Sequence, residues 1–145
     1  MEVNLDLSRK LLFVAAAVFV IVALILLLGV IQPVKAEFSR GETTQKAITA
    51  FCYNIGFHFL IAIIIILIAF MSAGLSKTSL IFLVILGIIA LLLGIIFLDA
   101  GSAYYSHGAS MRAASVLLFV CAALDILNGV FIIILANIRP RIKRI

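Results

Sequence analysis

The chain has 145 residues, 66% of them hydrophobic and 12% charged, with a net charge of +5 and a mean hydropathy of +1.39. Soluble domains are about 45–50% apolar and about 25% charged, so this composition excludes a water-soluble globule and makes lipid the solvent for most of the chain. Nucleic acid is excluded as a partner by where the positive charge sits, because the basic residues flank apolar runs, as the anchors of membrane spans do.

The first predicted span runs from about Leu11 to Ile31 behind Arg9 and Lys10. Val34-Lys35-Ala36 after it resembles a small-residue cleavage site, but the run exceeds the roughly 7–15 residues of a secretory leader's apolar core, so it reads as a retained span. Residues 32–50, QPVKAEFSRGETTQKAITA, form a polar connection with Pro33 and Gly41 as breakers. The second span runs from about Phe51 to Met71. The short turn SAGLSKT, residues 72–78, makes it an antiparallel hairpin with the third span, about Ser79 to Leu98. Residues 99–112, DAGSAYYSHGASMR, read as a loop in which Tyr104, Tyr105 and His107 anchor at the membrane interface. The fourth span runs from about Ala113 to Ile138. Each has the roughly 20 residues that a ~30 Å hydrocarbon layer requires. None alternates as a barrel strand would, which leaves helices as the way to satisfy backbone groups in lipid. The expected fold is an all-α, integral membrane, four-helix up-down bundle, one four-span domain over 1–145.

Orientation follows from Lys and Arg. One side carries Arg9, Lys10, Lys77, Arg139, Arg141, Lys143 and Arg144, and the other carries Lys35, Arg40, Lys46 and Arg112. The richer side is expected in the cytoplasm. That makes 1–10 and 139–145 cytoplasmic tails of a multi-pass protein of the plasma membrane or of vesicle or Golgi membranes. Arg139, Arg141, Lys143 and Arg144 are also candidates for contact with anionic lipid.

Helix association in lipid depends on small residues that let backbones approach. They recur here every seven positions: Ser115, Ala122, Gly129 and Ala136 in the fourth span, Gly87, Gly94 and Gly101 in the third with Ala90 on the same side, and Ala62, Ala69 and Ser76 in the second. In the first span Ala16 and Ala23, and Ala15 and Gly29, are similarly placed. This repeat fits a left-handed bundle. Asp125, three residues after Ala122 and four before Gly129, shares their helix face. It therefore points into the bundle or toward a partner helix, with Asn128 one turn on. No basic residue is evident at its depth.

The remaining polar residues are sparse. Asn54, His58 and Asp99 are expected to gather on the side of the membrane opposite the tails, where a His58–Asp99 contact is feasible. No nucleophile stands beside them, two ligands fall short of a zinc site, and neither a phosphate-binding glycine loop nor an H-E-x-x-H motif is present. Cys52 and Cys121 lie at different depths, which argues against a bridge, and no CxxC pair exists.

The block RAASVLLFVCAALDILNGVFIIIL, Arg112 to Leu135, resembles the last span of MARVEL-domain proteins, a group that includes the MAL, chemokine-like-factor and insect junction tetraspan proteins. Ala113, Ala114, Ser115, Phe119 and Asp125 occupy the places of that helix's small, aromatic and polar positions. The outer-loop cysteine pair of some members is missing. The resemblance implies a non-enzymatic organiser that acts in membrane apposition, vesicle trafficking or cell-junction assembly through lipid contacts and through other membrane proteins or self-association, without a cofactor or small-molecule substrate. Asp125 keeps an alternative open: a small ion- or proton-coupled transporter or channel subunit, or an accessory subunit of a larger membrane complex.

Overall fold

The computed structural model describes residues 5–37, 42–70 and 77–142, with side chains for residues 7–36, 46–70 and 79–137. α1 (Leu5–Ile25) passes through one π-helical turn, Leu26–Val30, into α2 (Ile31–Glu37). α3 (Glu42–Phe70) and α4 (Lys77–His107) follow, then a 3₁₀ turn (Ala109–Met111) and α5 (Arg112–Ile142). Four stretches, Leu7–Ala36, Lys46–Phe70, Ser79–His107 and Ala109–Asn137, are long and apolar enough to cross a membrane. The architecture is that of an all-α, multi-pass membrane four-helix bundle.

The helices run further than the apolar runs. Residues 99–107, expected as loop, continue α4 for two more turns. The reversal into α5 is confined to Gly108, whose φ of 140° suits a residue without Cβ, and to the bond from the Met111 amide to the Gly108 carbonyl, 3.2 Å. Gly101, which reads as a loop residue, is instead a packing residue, since a Cβ there would lie 3.0 Å from the Phe119 ring.

Pro33 does not end the first span. Proline lacks an amide hydrogen, and its ring crowds the carbonyl four residues back, here that of Gly29. The turn Leu26–Val30 is wound as a π-helix, with the Ile31 amide bonding the Leu26 carbonyl five residues earlier. Such a widened turn is a known way for a helix to absorb this disruption. Gly29, inside that turn, has no side chain, and the Leu117 side chain of α5 occupies the place where its Cβ would be.

Ring contacts and close approaches fix the directions. Phe13 near the start of α1 meets Phe70 at the end of α3, edge-on at 5.4 Å, so these helices are antiparallel. α4 and α5 form the most extensive pairing, also antiparallel. Its seam is glycine. A Cβ on Gly87 would lie 2.9 Å from the Gly129 carbonyl oxygen, one on Gly129 would lie 2.7 Å from the Gly87 oxygen, and one on Gly94 would lie 3.1 Å from the Ala122 oxygen. Further along, Ser115 bonds the Gly101 carbonyl. The pairs 87 with 129, 94 with 122 and 101 with 115 step by seven in both helices.

The expected hairpin of the second and third spans takes a looser form. α3 packs chiefly on α1, while α3 and α4 meet through rings, Phe51 with Tyr104 and His58 with Phe97. Residues 71–76, which include Ser76 and most of the predicted turn, lie outside the described residues.

Candidate polar core

Asp125 is fully buried on α5. Its Oδ2 lies 2.8 Å from Nε2 of His58 on α3. His58 is fully buried as well, and its Nδ1 lies 2.7 Å from the Asn54 backbone carbonyl, one turn earlier. The imidazole is held between two rings, Phe19 of α1 (centroids 5.8 Å apart) and Phe97 of α4 (5.7 Å, stacked). All four spans therefore enclose this one pair.

A carbonyl oxygen only accepts hydrogen bonds, so Nδ1 of His58 must carry a hydrogen. The short Nε2–Oδ2 distance then requires a second proton between ring and carboxyl. That proton is carried either by Nε2, giving an imidazolium–carboxylate pair, or by Oδ2, giving a neutral imidazole and a carboxylic acid. The pair has zero net charge in both arrangements, which suits a site shielded from water. Oδ1 of Asp125 is buried without a hydrogen-bond partner.

Two further bonds tie α5 to its neighbours. Asn128 donates from Nδ2 to the Ala15 carbonyl of α1, 3.0 Å. Ser115 donates from Oγ to the Gly101 carbonyl of α4, 2.6 Å. With His58 from α3, α5 is bonded through a side chain to each of the other three spans. Bonds of this kind in membranes contribute on the order of 0.6–2 kcal/mol each. Their larger effect is on register, because one-turn slippage would leave each donor facing hydrocarbon.

The polar cluster expected from Asn54, His58 and Asp99 is corrected by this geometry. His58 turns inward to Asp125, and Asp99 is exposed on α4. Asn54 takes part through its backbone, while its side-chain amide bonds the Ala50 carbonyl at 2.9 Å. The expectation that Asp125 has no basic partner is overturned for the same reason. Counting from the predicted span ends put Asp125 about twelve residues deep and His58 only about seven. The glycine seam sets residue 117 of α5 opposite Asp99, so the first turn and a half of α5 lies beyond the apolar run of α4. Asp125 then falls opposite residue 91, eight positions or about 12 Å inward of Asp99, within reach of His58.

The candidate contact residues Ser115, Ala122, Asp125, Asn128, Gly129, Gly87, Ala90 and Gly94 are all buried, and they pack against the chain's own helices. Ala15, Ala16, Ala23, Ala62 and Ala69 are buried likewise. The seam is thus used internally, and the faces turned to lipid carry residues such as Leu28, Leu67, Phe70 and Leu127. Shallow apolar grooves cross that surface, one between α1 and α5 lined by Ile21, Leu24, Ile25, Leu28, Gly29 and Leu117. Cys52 is exposed and Cys121 buried, both as free thiols. Tyr105 stacks under the Arg112 guanidinium at 5.4 Å. Of the four residues named for anionic lipid, the side chains of Arg139 and Arg141, and Lys143 and Arg144 altogether, lie outside the described residues. Among the described residues no group of three metal-ligating side chains gathers.

The chain matches no protein-family model, no curated protein and no solved structure.

Proposed function

We propose that the chain is a non-enzymatic four-span membrane organiser, of the kind the MARVEL-type last span suggests, which acts through lateral contacts with lipid and with other membrane proteins or further copies of itself. One observation supports this reading most. The bonds of His58, Asp125, Asn128 and Ser115 are all spent between the chain's own helices, while the surface left to lipid is apolar and shallowly grooved. A body built this way has a fixed shape and a surface suited to neighbours in the bilayer. Membrane apposition, vesicle trafficking and junction assembly are the settings proposed for it, with both termini in the cytoplasm.

The test is purification in a mild detergent with in-membrane crosslinking, followed by identification of the attached chains and lipids. Specific crosslinked neighbours that are lost when Leu28 or Leu127 is replaced by a bulkier residue support the organiser. A chain recovered only as an unattached monomer contradicts it.

A second reading, a small ion- or proton-coupled transporter subunit, draws on the unpartnered Oδ1 of Asp125. It requires flux in reconstituted vesicles that Asp125→Asn abolishes while the bundle stays assembled.

A further inference from the structure

We propose that Ser8 and Arg9 form a phosphate-oxyanion site at the end of the bundle where α1 starts, and that it holds an anionic phospholipid headgroup or a free phosphate. This goes beyond the organiser reading and does not depend on it. Two adjacent donors carry the inference. Ser8 is fully buried, and its Oγ has no hydrogen-bond partner. Nε of Arg9 is likewise buried without a partner, and the guanidinium makes no ion pair among the described residues. A buried donor left unbonded opposes folding, most of all when it is charged. Their neighbours are provided for. Lys10 is exposed and has a partner of its own, and so does Ser79, buried at the same end.

The fold sets the depth of this pair. Ser8 continues the buried face of α1 that holds Leu12, Ala15 and Phe19. The Asn128–Ala15 bond fixes α1 against the antiparallel α5. Ser8, seven residues or about 10 Å back along α1, therefore comes level with Leu135, close to the end of the described side chains of α5. The apolar run opens at Leu11, so Ser8 and Arg9 lie within a turn of the edge of the hydrocarbon, beside the layer of lipid phosphates. Side chains on a helix lean toward its N-terminus, so both donors lean out of the hydrocarbon toward that layer.

The unmet groups select the ligand. A hydroxyl and an unpaired guanidinium present hydrogen-bond donors and a positive charge. A phosphate oxyanion brings several acceptor oxygens and the opposite charge, and a guanidinium binds it through paired, charge-assisted bonds. Zwitterionic headgroups carry their own ammonium close to the phosphate, which opposes the arginine, so an anionic phospholipid fits better.

The experiment is native mass spectrometry of the full chain in maltoside micelles, which contain no phosphate. The probes are phosphatidylglycerol, phosphatidylcholine and inorganic phosphate. Phosphatidylglycerol should bind more tightly than phosphatidylcholine. Arg9→Gln should weaken its binding about tenfold or more and Ser8→Ala about fivefold, as loss of a charged and of a neutral hydrogen bond predicts. Arg9→Lys keeps the charge but loses the planar fork, and should fall between the parent and Arg9→Gln. The exposed Lys10 is the control, and Lys10→Gln should change the affinity by less than about twofold. Displacement of the lipid by inorganic phosphate supports the site as one for soluble phosphate, and retention of the lipid in its presence supports it as one for the headgroup. Without lipid, Ser8→Ala should be at least as stable as the parent in SDS titration, because the hydroxyl it removes bonds nothing inside the bundle. If Arg9→Gln does not insert, Ser8→Ala and Arg9→Lys decide. The proposal is overturned by an absence of preference for phosphatidylglycerol, by equal losses in Lys10→Gln and Arg9→Gln, or by unchanged affinity in Ser8→Ala. A loss of lipid-free stability in Ser8→Ala overturns it as well, since the hydroxyl would then have a partner within the bundle.

Discussion

Gly129→Ala should open the α4–α5 seam. The added Cβ would stand 2.7 Å from the Gly87 carbonyl oxygen, 3.1 Å from Leu91 Cγ and 3.2 Å from Ala90 Cβ. Ordinary contact begins near 3.4 Å, so the backbone approach must lengthen by about 0.7 Å. A gap of 0.5–1 Å forfeits about a quarter to a half of each dispersion contact along a seam, and overpacked cores commonly lose 1–3 kcal/mol. Helix propensity acts the other way, since Ala is favoured over Gly by about 0.8–1 kcal/mol. A net loss of about 1–2 kcal/mol is expected. Gly56→Ala is the control, because nothing lies within 4 Å of a Cβ at that position and only the propensity gain remains. The assay is SDS titration followed by circular dichroism, which needs no tryptophan. If Gly129→Ala proves as stable as Gly56→Ala, the helices do not approach through this seam and the register built on it is wrong.

Asp125→Leu should cost about 1–3 kcal/mol, because it leaves one ring nitrogen of His58 buried without a partner, whereas Asp125→Asn, which retains a donor for Nε2, should cost less than half as much in the same titration. Ser115→Ala removes one bond to a buried carbonyl and should lower stability by about 1 kcal/mol in the same assay. N-ethylmaleimide should modify Cys52 in the folded protein and Cys121 only after SDS unfolding, as read by intact mass. Equal reaction of both thiols in the folded protein would contradict the packing of α5.

The bundle was legible because each level of the sequence says the same thing. Apolar runs of membrane length require helices, and small residues every seven positions mark the faces along which they meet. Gly87, Gly94, Ala122 and Gly129 were readable as a seam because the absence of a side chain has one strong use in lipid. The helix ends were less legible. Residues 99–107 look like loop by polarity, but polarity there reports the edge of the hydrocarbon and not the end of hydrogen bonding. Pro33 looks like a stop, but a π-turn just before it lets the helix continue. These boundary errors carried into the site. With α5 started at Ala113 and α3 at Phe51, Asp125 and His58 fell at different depths, and Asp99 seemed the nearer partner for His58. Pairing of polar groups between spans depends on helix register, and register is set by the α4–α5 seam, which the stripe spacing alone does not fix to one turn. One signal was available: a lone buried acid and a lone intramembrane histidine are each costly alone, and that cost is a reason to pair them.

The measurement that bears most directly on the account is a double-mutant cycle between His58 and Asp125, using His58→Phe, Asp125→Leu and both together in SDS unfolding. Two groups 2.8 Å apart in a buried pair should couple by about 1–3 kcal/mol, so that the double variant is more stable than the two single losses predict in sum. Additivity within about 0.5 kcal/mol would mean that the histidine and the acid do not meet, and the polar core described for this bundle would be contradicted.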